Sequence, residues 1–424
     1  MEGYNKKVIM SYWTICRMKT TKKIYVKVSI IFLLGGILLF SSCEKEENQK
    51  IEANRKTLFM YLPWSSNLTN YFYNNISDLE KCITKIGLNN EKVIVFISTG
   101  STEAMMFEIV SSHGRCKREI LKKYKSPPFT TIDGITAILN DVKAFAPASV
   151  YTMIIGCHGM GWLPVYEMKV RSAPHMKMHW EYQGVPLTRY FGGLTAEYQT
   201  DIKSLASGIA NAGMKMEYIL FDDCYMSSIE VAYELKDVTK YLIGSTSEMM
   251  AYGMPYAAIG EYLLGNPDYQ SGCEEFYNFY STYEIMPCGT LAVTDCSELE
   301  NMAAIIKSIN SKYSFDKSLR GTIQRLDGYT PVIFYDFADY ITSLCNDPIL
   351  LNQFREQLNH LVPYKTHTKN FYTMAKGIIP INTFSGITTS DPSDNPMTVL
   401  KENTLWSSNP QLSSSASFLR LNVL

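Results

Sequence analysis

A histidine and a cysteine that each follow a short apolar run are the residues of this sequence best placed for chemistry. His158 comes soon after the run at 150–155, and Cys224 comes soon after the run at 216–221. If both runs are neighbouring parallel strands, His158 and Cys224 meet at one edge of a sheet, although they are far apart in sequence. A thiol within reach of an imidazole base is the arrangement that nucleophilic catalysis needs.

The residues around this pair favour activation of the thiol. Ser227 and Glu230 have the spacing of a capping box, which predicts a helix that begins just after Cys224. A helix N-terminus stabilises a thiolate, and its free N–H groups can receive an oxyanion. Gly159, directly after His158, lets the backbone approach a substrate and offers a second donor.

Cys157 is a rival nucleophile, because it directly precedes His158. Neighbouring residues of a strand point to opposite faces, so Cys157 is expected to point away from His158 and to be structural. The other cysteines of the chain's globular part are scattered without a C-x-x-C pair. This pattern predicts small core residues, with neither a zinc site nor a disulfide framework.

Short apolar runs alternate with helical patterns, which predicts an α/β fold with a mostly parallel central sheet and helices on both faces. Apolar residues at helical spacing follow Thr130, a candidate N-cap, and the same pattern recurs between Thr200 and Gly213. The predicted strands are residues 58–62, 93–97, 150–155, 216–221 and 241–243. Further along the chain, strands are predicted over residues 290–293 and 332–335, and a helix is predicted over residues 336–344.

The beginning of the chain has the layout of an export signal. A basic stretch precedes the apolar run 28–40, and small residues before Cys43 resemble a bacterial lipobox. We expect residues 1–17 to be a gene-start artefact and residues 18–42 a lipoprotein signal peptide, with a signal anchor as the alternative. A tether over 43–56, lipidated at Cys43, would hold the protein on the cell envelope, at the outer membrane or cell surface.

The composition is that of a globular protein, with 46% hydrophobic and 19% charged residues. The net charge of −1 indicates no general nucleic-acid surface. Without residues 1–42 the chain keeps 33 Lys and Arg against 40 Asp and Glu, a formal charge of −7. We predict a monomer with a catalytic domain over 57–290 and a smaller C-terminal accessory region over 291–424.

These motifs in combination resemble the clostripain-like cysteine peptidases, which are related to caspases, gingipains and legumains. The family pattern joins His-Gly-x-Gly-Trp to Asp-Ala-Cys-x-Met, a following Glu-x-Ala-Tyr-Glu-Leu helix, and a Ser-x-Glu segment. The likeness extends over roughly residues 57 to 390. The matching segments here are 158–162, 222–226, 230–235, 244–248 and 253–256, with a Phe-Gly-Gly match at 191–193.

The resemblance implies a caspase-like α/β/α sandwich in which His158 is the base and Cys224 the nucleophile. The backbone N–H groups of Gly159 and Cys224 would form the oxyanion hole. Family members prefer Arg or Lys before the scissile bond, and Asp222 matches the acidic residue that lines their pocket. A carboxylate there would bind a cationic side chain through charge-assisted hydrogen bonds. The alternative for Asp222 is a cap on a turn.

Self-cleavage is also implied, because relatives often mature by cutting the loop after the histidine motif. In the loop 165–195 of this chain, Lys169 and Arg171 are the first candidates. Polypeptides are the expected substrates, and the chemistry needs no cofactor and no metal. Some relatives require calcium, and the sequence leaves this point open because no cluster of acidic ligands decides it.

One departure from the family pattern favours alternatives. The small residue before the family's cysteine is Asp223 here, and a carboxylate facing the site would raise the thiol pKa. On a strand end Asp222 and Asp223 should face opposite ways, so only one can line the pocket. A catalytically inactive peptide-binding lipoprotein of the same fold is therefore the alternative function, and an acyl transferase with the same dyad is a third.

Overall fold

The apolar runs of the sequence become strands that are buried on both faces of one sheet. The computed structural model describes residues 54–65, 67–165, 184–185, 198–395, 397–398, 401 and 404–408. Four successive residues of one central strand, 218–221, are all buried, which requires packing on both sides of the sheet. From Asn54 onward the described residues belong to one compact unit.

The strands are described first, because they carry the loops of the site. In chain order they are β1 (Asn54–Leu62), β2 (Glu91–Ser98), β3 (Glu103–Ser112), β4 (Arg115–Lys125), β5 (Ala148–Ile155), β6 (Met216–Phe221), β7 (Thr239–Gly244), β8 (Thr290–Asp295), β9 (Tyr335–Asp336), β10 (Tyr364–His367), β11 (Asn370–Thr373), β12 (Gly377–Pro380) and β13 (Thr388–Thr389).

The helices alternate with these strands. They are α1 (Thr69–Ile86), α2 (Ile132–Phe145), α3 (Ile202–Asn211), α4 (Ile229–Leu235), α5 (Tyr256–Leu263), α6 (Tyr269–Ser281), α7 (Leu299–Asn310), α8 (Phe337–Leu344), α9 (Pro348–Leu361) and α10 (Leu405–Ser408). Helix α1 packs against α5 and α5 against α6, whereas α2 packs against α3 and α3 against α4. No described helix is long and apolar enough to cross a membrane.

In the described part of the chain, nine strands form the main sheet in the order β10-β8-β7-β6-β5-β1-β2-β3-β4. The five central strands, from β7 to β2, are parallel. Antiparallel pairs extend both edges, β3 and β4 on one side and β8 and β10 on the other. The predicted α/β class with a mostly parallel sheet and flanking helices is confirmed.

The five predicted central strands lie inside β1, β2, β5, β6 and β7. The predicted strand 332–335 is wrong except for Tyr335. The N–H groups of Ile333 and Phe334 donate to the Asp327 carboxylate instead of entering a strand ladder. Two helix caps are displaced by one residue, because Thr131 caps α2 and Ser228 caps α4.

Two predicted boundaries differ from the sheet that the structure contains. Strand β1 begins at Asn54 and Lys56 pairs with both neighbouring strands, so the last predicted tether residues are part of the sheet. Strands β8 and β10 extend the same sheet, so the sheet crosses the boundary predicted at residue 290. Residues 1–53, including Cys43, lie outside the described residues.

Candidate active site

Cys224 lies directly beyond the carboxyl end of β6 and is fully buried. Its Sγ accepts a hydrogen bond from the backbone N–H of Met249 at 3.1 Å. The helix predicted to begin just after the cysteine, α4, begins only at Ile229. The hydrogen bond to the sulfur therefore comes from the segment after β7, directly beyond the matching segment 244–248.

Tyr225 forms the turn of the segment that contains Cys224. Its φ of 62° is in the left-handed region, although it is a large buried residue. The ring stacks on Phe334 with centroids 4.9 Å apart, and the hydroxyl donates to Glu248 Oε1 at 2.8 Å. Burial raises the pKa of Tyr225 well above its ordinary value, with Glu248 adding to the effect, so the hydroxyl stays a donor.

His158 lies beyond the carboxyl end of β5, the strand next to β6, and is also fully buried. Its Nε2 is 2.9 Å from Oδ1 of Asn67, which belongs to the loop between β1 and α1. This partner fixes one ring nitrogen and orients the imidazole. Sequence reasoning missed Asn67, although its position after a predicted parallel strand was a usable signal.

Gly159 brings the two strand ends into contact. A Cβ on this residue would lie 2.1 Å from the carbonyl oxygen of Cys224 and 2.9 Å from its nitrogen. A side chain cannot occupy that space, so only glycine allows the two backbones to approach this closely. The structure thus brings the segments of His158 and Cys224 together at one edge of the sheet.

The two aspartates before Cys224 bind different elements. Asp222 accepts hydrogen bonds from the N–H of Met254 and the hydroxyl of Tyr256, both at 2.9 Å. Asp223 accepts the N–H of Cys157 at 2.6 Å and its thiol at 3.4 Å. Both carboxylates are buried. The alternation expected on a strand end is therefore present, and Cys157 has a structural contact of its own.

Residues from beyond position 290 support the histidine segment. Gly161 has a φ of 60°, and a Cβ there would lie 2.9 Å from the ring of Phe334. The same ring stacks on Tyr225 on the nucleophile side. Trp162 donates from Nε1 to Ser390 Oγ at 2.9 Å. One aromatic residue of the C-terminal region therefore contacts both segments of the site.

Two further predicted features bear on metals and maturation. Within the described ranges, no group of three or more His, Cys, Asp or Glu side chains could hold a metal ion. None of the cysteines there forms a disulfide, and all except Cys116 are buried. Lys169 and Arg171 lie outside the described residues.

Residues 60–379 match the model of the clostripain family, which is three quarters of the chain. The protein therefore belongs to the clostripain family and is a cysteine protease. This confirms the resemblance that the motifs indicated. No curated protein matches the chain.

Solved structures agree with this placement. A secreted C11 cysteine protease from Bacteroides thetaiotaomicron, called iotapain, is 58% identical, with 84% of this chain and 99% of that chain covered and a TM-score of 0.78. A clostripain from Bacteroides thetaiotaomicron ATCC 29148, in complex with the peptide inhibitor BTN-VLTK-AOMK, is 65% identical. That match covers 52% of this chain and 98% of the other, with a TM-score of 0.51.

A more distant structure shares the fold. It is an inactive zymogen C11 protease from Parabacteroides distasonis, 23% identical over 83% of this chain and 97% of that chain, with a TM-score of 0.69.

Proposed function

We propose that this protease hydrolyses peptide bonds with Cys224 as nucleophile and His158 as general base. The contact of Gly159 with the Cys224 backbone carries the proposal, because it joins the two strand ends that bear the dyad. Sγ attacks the scissile carbonyl, the amine leaves with a proton from His158, and water then hydrolyses the thioester. The Met249 N–H that donates to the sulfur fixes the position of the nucleophile.

The oxyanion hole consists of the backbone N–H groups of Gly159 and Cys224. Their backbones are in contact, so donors from both segments can converge on one oxygen. A preorganised pair of N–H groups in a buried site stabilises the tetrahedral intermediate strongly.

Cleavage occurs after Arg or Lys, with Asp222 as the residue that binds the cationic side chain. The carboxylate is fixed at the strand end by Met254 and Tyr256, so its position does not depend on a flexible rotamer. The inhibitor bound by the clostripain from Bacteroides thetaiotaomicron ATCC 29148 has the peptide VLTK, which ends in Lys. This supports a basic residue before the scissile bond.

The protease activates itself by a cut in the loop 165–195, at Lys169 or Arg171. His158 and Cys224 are both 0% exposed, so a polypeptide reaches them only after the surrounding chain moves. A cut in the loop that follows the histidine segment is a direct way to allow this movement.

Lipidation at Cys43 anchors the monomeric protein to the envelope, and polypeptides are its partners. The description of iotapain as secreted supports export. The proposed chemistry needs no cofactor. Whether calcium is required is tested by adding calcium or a chelator to the assay. Replacing Cys43 with Ala should release the protein from the membrane fraction, and retention of the variant there would contradict the anchor.

The decisive experiment compares purified residues 44–424 with the same chain carrying Cys224→Ala. Both are incubated with fluorogenic peptides ending in Arg, Lys, Ala or Asp, with calcium or with a chelator, and run on a denaturing gel. The expected result is turnover of Arg and Lys peptides and cutting between 165 and 195 only in the wild type. Turnover of the peptides that end in Ala or Asp instead would show that Asp222 does not bind a cationic side chain of the substrate.

An inert, uncut wild type with and without calcium would favour the alternative, an inactive peptide-binding lipoprotein. Persistent cleavage by the Cys224→Ala chain would contradict the dyad itself.

A further inference from the structure

Asp223 connects the nucleophile segment to the histidine segment. Its Oδ1 accepts the backbone N–H of Cys157 at 2.6 Å, and its Oδ2 accepts the Cys157 thiol at 3.4 Å. The side chain is 0% exposed. A hydrogen bond from a backbone N–H in a buried site is little weakened by water.

Asp223 contacts the residues on both sides of the catalytic histidine. Cys157 directly precedes His158, and Gly159 directly follows it. A Cβ on Gly159 would lie 2.9 Å from the Cβ of Asp223 and 2.9 Å from the nitrogen of Cys224. Asp223 therefore touches the histidine segment before and after His158, while its own backbone continues into the nucleophile.

The link matters because other anchors of the two segments lie on separate elements. His158 is bonded to Asn67 beyond β1, and Cys224 to Met249 beyond β7. The ladder between β5 and β6 ends where the Asp222 N–H donates to the Ile155 carbonyl group at 2.8 Å, so beyond that point Asp223 is a direct hydrogen-bond link between the two segments. Catalysis is sensitive to shifts between these segments, since a displacement of about 1 Å can cost about 10²-fold in rate.

We propose that Asp223 is a positioning residue that fixes the distance between His158 and Cys224 by holding the N–H of Cys157. The inference rests on the proposed dyad. The proposed role of Asp223 needs only the hydrogen-bond acceptor at Oδ1. Asparagine keeps an oxygen at that position and can replace Asp223, whereas alanine cannot.

The test compares Asp223→Ala and Asp223→Asn with the wild type on Arg and Lys peptides. Asp223→Ala is expected to lower kcat at least about thirtyfold with KM within about threefold, because substrate binding does not use this link. Asp223→Asn is expected to restore kcat to within about threefold of the wild type. Equal kcat in the wild type and Asp223→Ala overturns the proposal, as does an Asn variant as impaired as the Ala variant.

Asp336→Ala is the matched control. Asp336 is equally buried and accepts backbone N–H groups, those of Ser385 and Asp339, which belong to neither the His158 nor the Cys224 segment. Its loss should lower Tm as much as the loss of Asp223, with kcat within about threefold of the wild type. A fall in kcat equal to that of Asp223→Ala would show that any lost buried carboxylate has this effect, and would overturn the proposal.

A second measurement does not depend on turnover. Amide hydrogen exchange is followed in the 156–160 segment of the full chain carrying Cys224→Ala, with and without Asp223→Ala or Asp223→Asn. Protection of the Cys157 amide should fall at least about tenfold with Ala and persist with Asn. Unchanged protection with Ala overturns the link even if the protein is inert, so failure of the link and failure of the proposed function remain distinguishable.

Discussion

The two ends of the central sheet both bury an ionisable side chain beside α5, and the candidate dyad of His158 and Cys224 lies at one of them. At the amino ends of the strands, Lys56 donates to the carbonyl groups of Leu263 and Gly265, where α5 ends. At the carboxyl ends, Asp222 accepts from Tyr256, where α5 begins. Each charge lies at the helix end whose dipole favours it.

The difference between these ends is in the backbone. The carboxyl end contains the close approach of Gly159 to Cys224 and the left-handed Tyr225. At the amino end, Thr57 donates to the carbonyl group of Ala146, and β1 pairs regularly with β2 and β5. The irregularities there are a register shift between β5 and β6 near Tyr151 and the left-handed Asn90 before β2. A buried ionisable side chain at one end of α5 is therefore common to both ends, whereas the close approach of two backbones at Gly159 distinguishes the candidate site.

The largest expected effect separates the two cysteines of the carboxyl end. Cys224→Ala should lower kcat by at least about 10⁴-fold, because the nucleophile is removed. Cys157→Ser keeps the backbone N–H and a hydroxyl for Asp223, and should retain at least about a tenth of the activity. Peptide turnover measures both, and activity lost equally in the two variants would contradict the assignment of the nucleophile.

Gly159→Ala tests the backbone contact. The added methyl group would lie 2.1 Å from the Cys224 carbonyl oxygen, so the strand ends must separate, and kcat/KM should fall by about 10²-fold. Gly100→Ala is the control, because nothing lies within 4 Å of the added Cβ there. Equal kinetics in the two variants would show that the contact does not position the dyad.

Asn67→Ala tests the orientation of the histidine ring. Without the Asn67 oxygen the imidazole can rotate, and kcat should fall by about tenfold to a hundredfold with KM nearly constant. Ser65→Ala removes a buried hydrogen bond to Pro63 from the same loop, so it controls for loop stability. A wild-type kcat in Asn67→Ala would refute the orienting role.

A pair of tyrosines compares the two ends of α5 directly. Tyr256→Phe removes one of two described donors to Asp222, and should lower kcat/KM for Arg and Lys peptides about fivefold. Tyr218→Phe removes a buried hydroxyl that donates to Leu263 at the other end. Tyr218→Phe should lower the free energy of unfolding by a similar amount without changing the preference for Arg and Lys peptides. Equal losses of kcat/KM in the two variants would argue against Asp222 as the cation-binding residue.

The smallest effect is on stability at the amino end. Burial lowers the pKa of Lys56 to about 8, with Glu91 partly offsetting it. An unfolded lysine titrates near 10.4, so between these values the unfolded chain binds more protons. The free energy of unfolding should therefore rise with pH in this window, by roughly 3 kcal/mol at most from this group.

Urea unfolding at pH 7 and pH 9.5 measures this dependence. Lys56→Met should lack the rise that the wild type shows between the two values. An identical pH dependence in both proteins would mean that the Lys56 pKa is not lowered in the folded state.

The parallel core of the fold is predictable from sequence, because its strands are continuous apolar runs. The hairpin of β3 and β4 is not, since β4 at the sheet edge is rich in Lys and Arg and leaves alternate residues exposed. Residues 332–334 resemble a strand in composition, yet Asp327 takes the N–H groups of Ile333 and Phe334. A single buried carboxylate outweighs the local propensity there.

The site is predictable where the prediction follows from parallel strand order, and not where it depends on single hydrogen bonds. Neighbouring strands bring the segments of His158 and Cys224 together, as expected. The Met249 donor lies directly beyond the matching segment 244–248 and the Asn67 acceptor beyond a predicted parallel strand, but neither position indicates the hydrogen bond itself. Helix α4 begins too late to supply the predicted donor. Contacts between distant loops have no sequence period that could indicate them.

The left-handed Tyr225 has a consequence for engineering. Its conformation is held by Phe334 and Glu248, which lie far from it in the chain. A short peptide copied from around Cys224 into a foreign scaffold would carry the thiol but relax to an ordinary turn. The transplantable unit is a discontinuous set of residues that are far apart in sequence, so the Cys224 turn is not portable as a linear motif.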